Sequence, residues 1–304
     1  MPAPDVQRVV VLRALGLGDL LTAVPALRAV RRAHPGASVA LAAPAGLRDL
    51  AVHTGAVDTV VDTAPLAPLA DELAGADLAV NLHGRGPQST ALLAATSPRR
   101  LVAYGREGGP RWTADEHEVV RWCRLLDESG IPADPRDLQL AVPAAQPAVR
   151  GAVLVHPGAA QPSRHWPVER WGRVAAGLAA AGHDVRVTGG PGEVALAQDV
   201  AQRAGLGPEA VLAGRTDLLG LSALVAAARL LLSPDTGVAH LATAFGTPSV
   251  VLFGPTPPAL WGPPADRPQH RALWAGRTGD NFAAGPDAGL LELTVEQVLA
   301  AALS

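Results

Sequence analysis

Residues 233–258 read SPDTGVAHLATAFGTPSVVLFGPTPP, a strand end, a helix and a second strand in one segment. The apolar run LLLS closes at Pro234, Asp235 and Thr236 stand where N-caps stand, and Gly237 lets backbone approach a ligand before a helix over 238–245. The amides of that first helical turn, with the positive end of the helix dipole, suit an anion. The buried strand SVVLF then runs into Gly254, Pro255 and Thr256, a second turn expected on the same sheet edge. Asp-Thr-Gly is also the tripeptide of aspartic proteases, and an Asp ahead of a helix can be a plain cap. Those proteases are rich in β-structure, however, whereas here the tripeptide precedes an Ala-rich helix in a chain that alternates strand and helix throughout.

Working outward, strands are expected at VQRVVVLRA, SVALAAP, VDTVVD (edge-like) and DLAVNLHG, with helices at LLTAVPALRAVRRAHP (ended by Pro35), STALLAATS and HEVVRWCRLLDESG. AVPAAQPAVR, rich in Ala and Pro, reads as a linker near residue 145. The pattern then restarts: strand GAVLVHPG, helix VERWGRVAAGLAAAG, strand DVRVTGG, helix EVALAQDVAQRAG, short strand AVLAG, helix LLGLSALVAAA and strand RLLLS. The expectation is an α/β chain of two Rossmann-like domains, 1–145 and 146–304, facing each other across a cleft. The last helix, TVEQVLAAAL, could pack on either, the N-terminal domain included.

Composition narrows the function classes. The 304 residues are 48% hydrophobic and only 3% aromatic, so two cores of Val, Leu and Ala are expected. A formal charge of −3 and the absence of any basic block give no footprint for nucleic acid. All 25 cationic residues are Arg, so a phosphate clamp must be a planar guanidinium fork. Cys123 is the sole cysteine and lies in an apolar-periodic stretch, which excludes an internal disulfide and reads as a buried thiol. The N-terminus lacks a signal-peptide pattern and no stretch reaches about 20 apolar residues, so a cytoplasmic chain is expected.

The turn ALGLGDLL holds Gly16 and Gly18 but has Leu21 where a dinucleotide fingerprint has its third glycine, and SVALAAP does not end in the acid that would hold a ribose. The turn puts the Asp19 carboxylate at the start of a helix expected over 20–33, either as a cap or at the mouth of the cleft. No two Asp residues stand two apart, so the Asp-x-Asp pair of metal-dependent transferases is missing. Among the histidines, no pair has the short helical spacing of a zinc site. Trp166 and Trp171 are expected in the core.

VVVLRALGLGDLLTAVPALRAVRRAHP, VHPGAAQPSRHWP, VTGGPGE, SPDTGVAHLATAFGTP and VLFGPT fall in the order and spacing of the heptosyltransferases, glycosyltransferase family 9, which this chain resembles over nearly its whole length. The resemblance implies a GT-B fold and an inverting transfer without metal or other cofactor, from an ADP-activated heptose to an acceptor hydroxyl. It implies Asp19 as catalytic base in an acceptor-binding N-terminal domain; Gly18 beside that base, and His83 and Arg85 in the Gly-, Arg- and Pro-rich loop 83–90, are placed on the acceptor side by their position in the chain and not by the resemblance. In a donor-binding C-terminal domain it implies Arg164 on the phosphates, where the family often has Lys, and Glu193 on the ribose. Gly189, Thr216, Asp235, Thr236, Gly237, His240, Gly254, Pro255 and Thr256 complete the donor set. A Cys common near the family's C-terminus is missing around Leu290. The implied partners are a nucleotide sugar and a glycan, glycolipid or small-molecule acceptor, with a monomer working in the cytoplasm and contact at the inner membrane face left open. A non-catalytic nucleotide-sugar binder and, further off, a nicotinamide-dependent oxidoreductase are the alternative readings.

Overall fold

The computed structural model describes residues 6–106 and 108–304. The chain divides into two compact units, Met1–Ala141 and Val142–Ser304.

Unit one runs β1 (Arg8–Leu12), α1 (Leu17–Ala33), β2 (Ser38–Ala43), α2 (Arg48–His53), β3 (Thr59–Asp62), β4 (Leu78–Asn81), α3 (Gln88–Ala95), β5 (Arg100–Val102) and α4 (Glu118–Asp127). Its sheet is parallel with order β3-β2-β1-β4-β5. Central β1 is buried from Val9 to Leu12, as the unbroken run VVVL requires of a strand covered on both faces. The helix α1 begins three residues earlier than the apolar pattern suggests, so Gly18 lies inside its first turn and Asp19 is its third residue. It passes through buried Pro25 and ends at His34, before Pro35. The amphipathic α4 packs against α1 with Val119, Trp122, Cys123, Leu125 and Leu126 buried. Burial also pushes the Cys123 thiol up to about 12, which leaves it without thiolate character at neutral pH.

Unit two runs β6 (Val153–Val155), α5 (Val168–Ala180), β7 (Val185–Val187), α6 (Val194–Arg203), α7 (Leu218–Ala226), β8 (Leu230–Pro234), α8 (Gly237–Phe245), β9 (Ser249–Leu252), α9 (Pro258–Trp261), β10 (His270–Leu273), α10 (Ala288–Glu292) and α11 (Val295–Leu303). Its sheet is also parallel, with order β10-β9-β8-β6-β7. α11 packs on α5 and β9, both in this unit. Trp166 and Trp171 meet edge to face at 5.0 Å within the core formed by Val, Leu and Ala side chains.

Three local readings need correction. AVLAG is not a strand: Pro208–Ala210 is a 3-10 turn, and Val211 makes one isolated bridge to Val187. Conversely, β5 and β10, which the sequence did not announce, each form one of the two edges of their sheets, and neither RLV nor HRAL carries a long apolar run. An edge strand buried on part of one face needs no such run, so neither the run nor a clean alternation announces it. Among the described residues no helix is long and apolar enough to cross a membrane.

Candidate active site

In unit one β1 pairs with both β2 and β4, so the strand order reverses between β1 and β4. Turns leaving such a switch point at the carboxyl ends of the strands diverge and leave room for a ligand. The two turns here carry Asp19 and His83. Asp19 closes a capping box with Gly16, whose N–H donates to Oδ2 at 3.2 Å. Oδ1 accepts from Arg13 Nη2 at 3.1 Å, and the side chain keeps 26% of its surface exposed. The capping reading and the chemical one therefore describe the same carboxylate.

Arg13, the residue that follows β1, was not singled out by the sequence. It is 1% exposed, and its guanidinium donates from Nε to the Asp19 carbonyl, from Nη1 to the Leu82 carbonyl, and from Nη2 to Asp19, Thr22 and Glu118. The ring of Trp122 lies 4.8 Å from its central carbon.

On the β4 side, Asn81 takes the His83 N–H at 3.0 Å and donates to Ser89 and Thr90, which fixes the turn into α3. Burial, reinforced by the Arg13 charge and opposed by Asp19, holds the His83 imidazole below its ordinary value. The ring is half-buried, with Nδ1 buried and without a partner. Arg85 is exposed on the same turn.

In unit two the order reverses between β6 and β8. The turn after β6 leads to the 3-10 turn Pro162–Arg164, and the turn after β8 is Asp235–Gly237. Arg164 Nη1 donates to the Asp235 carbonyl at 3.0 Å and lies 3.8 Å from its carboxylate, while Nε is buried and unpartnered. Burial pushes the Asp235 carboxyl up to about 6 despite Arg164. Thr236 is the N-cap of α8, but its side chain makes no capping bond, so the first-turn amides are not consumed by a hydroxyl. His240, one turn along, meets Trp261 edge-on at 6.1 Å.

Ser163 joins the Arg164 turn to the neighbouring loop. Its Oγ donates to the Asn281 carbonyl at 2.6 Å, its carbonyl accepts from Asp287, and Pro255 accepts from Gly279. A Cβ on Gly254 would come within 3.1 Å of Leu290, so a side chain there needs Leu290 to give way by a few tenths of an ångström. Thr256 follows, partly exposed.

The Glu193 end of the same unit is built from the start of the same β6 turn. Glu193 Oε2 accepts from the Gly190 N–H at 2.6 Å, and His156 Nε2 is 4.0 Å away. His156 is buried, bonds Thr188 through Nδ1 at 3.1 Å, and is held below its ordinary value by that burial. Gly189 accepts from the Gly214 N–H at 2.9 Å, which ties the turn after β7 to the loop carrying Thr216.

A family model for glycosyltransferase family 9 (heptosyltransferase) matches residues 95–280. The chain belongs to glycosyltransferase family 9. Lipopolysaccharide heptosyltransferase 1 of Pseudomonas aeruginosa is 26% identical over 292 residues, covering 84% of this chain and 81% of that protein. A glycosyltransferase family 9 structure from Veillonella parvula superimposes with a TM-score of 0.78 at 20% identity, over 99% of this chain and 97% of that one. The Escherichia coli ADP-heptose lipopolysaccharide heptosyltransferase II superimposes at 0.77 and 21% identity, over 98% of both chains. The fold is accordingly GT-B, with two parallel-sheet α/β domains, and the enzyme is a glycosyltransferase.

Within this family 9 transferase, the structure gathers Asp19, Gly18 and His83 at one switch point and Arg164, Asp235, Thr236 and Gly237 at the other. Gly189 and Glu193 form a second cluster in unit two. Sequence reasoning passed over Arg13 and Glu118, and over Gly158, where an added Cβ would overlap the Glu193 carboxylate. An Arg closing a run of four buried apolar residues was the available signal for the first. For the other two the local sequence carries none. Among the described residues no group of three or more His, Cys, Asp or Glu side chains is placed to hold a metal ion.

Proposed function

We propose that this protein transfers heptose from ADP-heptose to an acceptor hydroxyl with inversion and without a metal, on a lipopolysaccharide-type or related glycan. The observation that carries the reading is a carboxylate that is both oriented and partly exposed: Asp19 is held by Gly16 and Arg13 yet keeps solvent access. A hydroxyl is a poor nucleophile at neutral pH, so a carboxylate must take its proton as the bond to the anomeric carbon forms. Asp19 is that base. The nucleoside diphosphate leaves from the opposite face through an oxocarbenium-like transition state and gains negative charge. Arg164 and the first-turn amides of α8 meet that charge and stabilise it more in the transition state than in the ground state. Glu193 binds the donor ribose, with Gly189 and Thr216 beside it, and His240, Gly254, Pro255 and Thr256 contact the diphosphate and sugar.

Unit one is then the acceptor domain, with His83 and Arg85 toward the acceptor, and unit two the donor domain. The names of the relatives support heptose, and that of the E. coli enzyme supports adenine. The reading also takes the enzyme as a cytoplasmic monomer that meets a glycolipid acceptor at the inner membrane face. The test is mass spectrometry of reactions pairing ADP-heptose and other nucleotide sugars with a panel of glycan and glycolipid acceptors. Heptose transfer with release of ADP is expected, unchanged in excess EDTA; strict dependence on added Mg²⁺ or Mn²⁺ would exclude the metal-free clamp. Donor binding with neither transfer nor hydrolysis would return the chain to the non-catalytic binder.

A further inference from the structure

Arg13 is almost wholly removed from water, and its charge faces two carboxylates rather than one. They are not equivalent. Asp19 is partly exposed, whereas Glu118 at the start of α4 is buried, with Oε1 accepting from Arg13 at 2.9 Å and from Trp122 Nε1 at 2.8 Å. Its Oε2 accepts from Arg121 Nε at 3.1 Å, and Arg121 also donates to the carbonyls of Thr113, Ala114 and Glu116. The ionisable groups that face Asp19, directly or through Arg13, are thus Arg13 itself, just past β1, Glu118 and its partner Arg121 from α4, and His83 from the β4 turn.

A buried cation left without a counter-charge is strongly unfavourable. If Asp19 were the sole partner of Arg13, each proton that Asp19 accepted would strand that cation. Glu118 removes the difficulty, because it stays paired with Arg13 whatever Asp19 carries. We propose that Arg13 is a positioning residue for the Asp19 base and that Glu118, through Arg13, sets how readily Asp19 takes a proton. The inference rests on the reading of Asp19 as base and adds to it two residues that do not touch substrate.

Two variants test it, each first checked for a native melting transition and for ADP binding. In Glu118→Gln the cluster gains one net positive charge, so the acid limb of the kcat/KM profile for transfer should move down by about one pH unit, with turnover at neutral pH several-fold lower. Should the Gln amide, which faces Arg121 Nε, prevent folding, Arg13→Lys carries the test. Lys keeps the charge but cannot make the divergent contacts of the guanidinium, so kcat should fall about 10-fold with donor KM unchanged.

Combining Arg13→Lys with Asp19→Asn should then cost no more than Asp19→Asn alone, because both act through one carboxylate. An unmoved acid limb in folded Glu118→Gln, or additive losses in the double variant, would overturn the relay while leaving the base intact. Near-normal turnover in Asp19→Asn would instead remove the base itself.

Discussion

The Glu193 carboxylate occupies the space a side chain at Gly158 would fill: a Cβ built on Gly158 overlaps Oε1 and Cδ of Glu193. Glycine is needed there for close approach, since no positive φ is involved. Gly158→Ala should displace the carboxylate from the Gly190 N–H and weaken ADP binding about 10-fold or more, measured by calorimetry, while turnover at saturating donor changes less. Unaltered ADP affinity would show that Glu193 does not contact the donor.

Asp19→Asn should keep the capping bond to Gly16 through the amide oxygen, and so the fold and ADP affinity, while turnover falls by about 10²–10⁴. Steady-state kinetics beside a thermal melt separates the two effects.

Arg164 is the cation beside the α8 N-terminus. ADP should raise the melting temperature more than UDP, GDP or CDP at equal concentration. The shift should be largely lost in Arg164→Ala, which removes a charge-assisted contact worth about 1.5–3 kcal/mol. Arg164→Lys should retain most of it as a point charge. Better protection by UDP or GDP would change the donor and leave the transferase standing.

Asp235 gives a pH dependence with a definite sign. Its folded value, pushed up to about 6, lies above the unfolded value of 3.8, so between them the native state holds a proton that the unfolded chain has released. Its contribution is therefore present at low pH and lost as pH rises through about 6. Melts of wild type against Asp235→Asn should show the wild type losing up to about 3 kcal/mol relative to the variant between about pH 4 and about pH 7. Parallel curves would mean that Asp235 is ionised without cost.

The sequence by itself determined the repeating strand–helix pattern and the turns that end it. Apolar runs such as VVVL and SVVLF, and the Gly and Pro that stop them, are local properties of the chain, and so is the motif that places Asp235–Gly237 before a helix. Asp19 and Glu193 could be read for the same reason, each standing third in a helical turn behind a glycine N-cap. What only the tertiary structure decided is which distant groups meet. β5 and β10 exist because an inner strand offers them an edge to pair with. The strand order, and with it the two switch points, follows from packing that no local period encodes. Glu118 meets Arg13 across 105 residues of chain, and Gly158 meets Glu193 where the segments following the paired strands β6 and β7 come together. A side chain's partner is set by where its element docks, and docking is governed by the summed burial of whole helix and strand faces, to which one Arg or one Gly adds little.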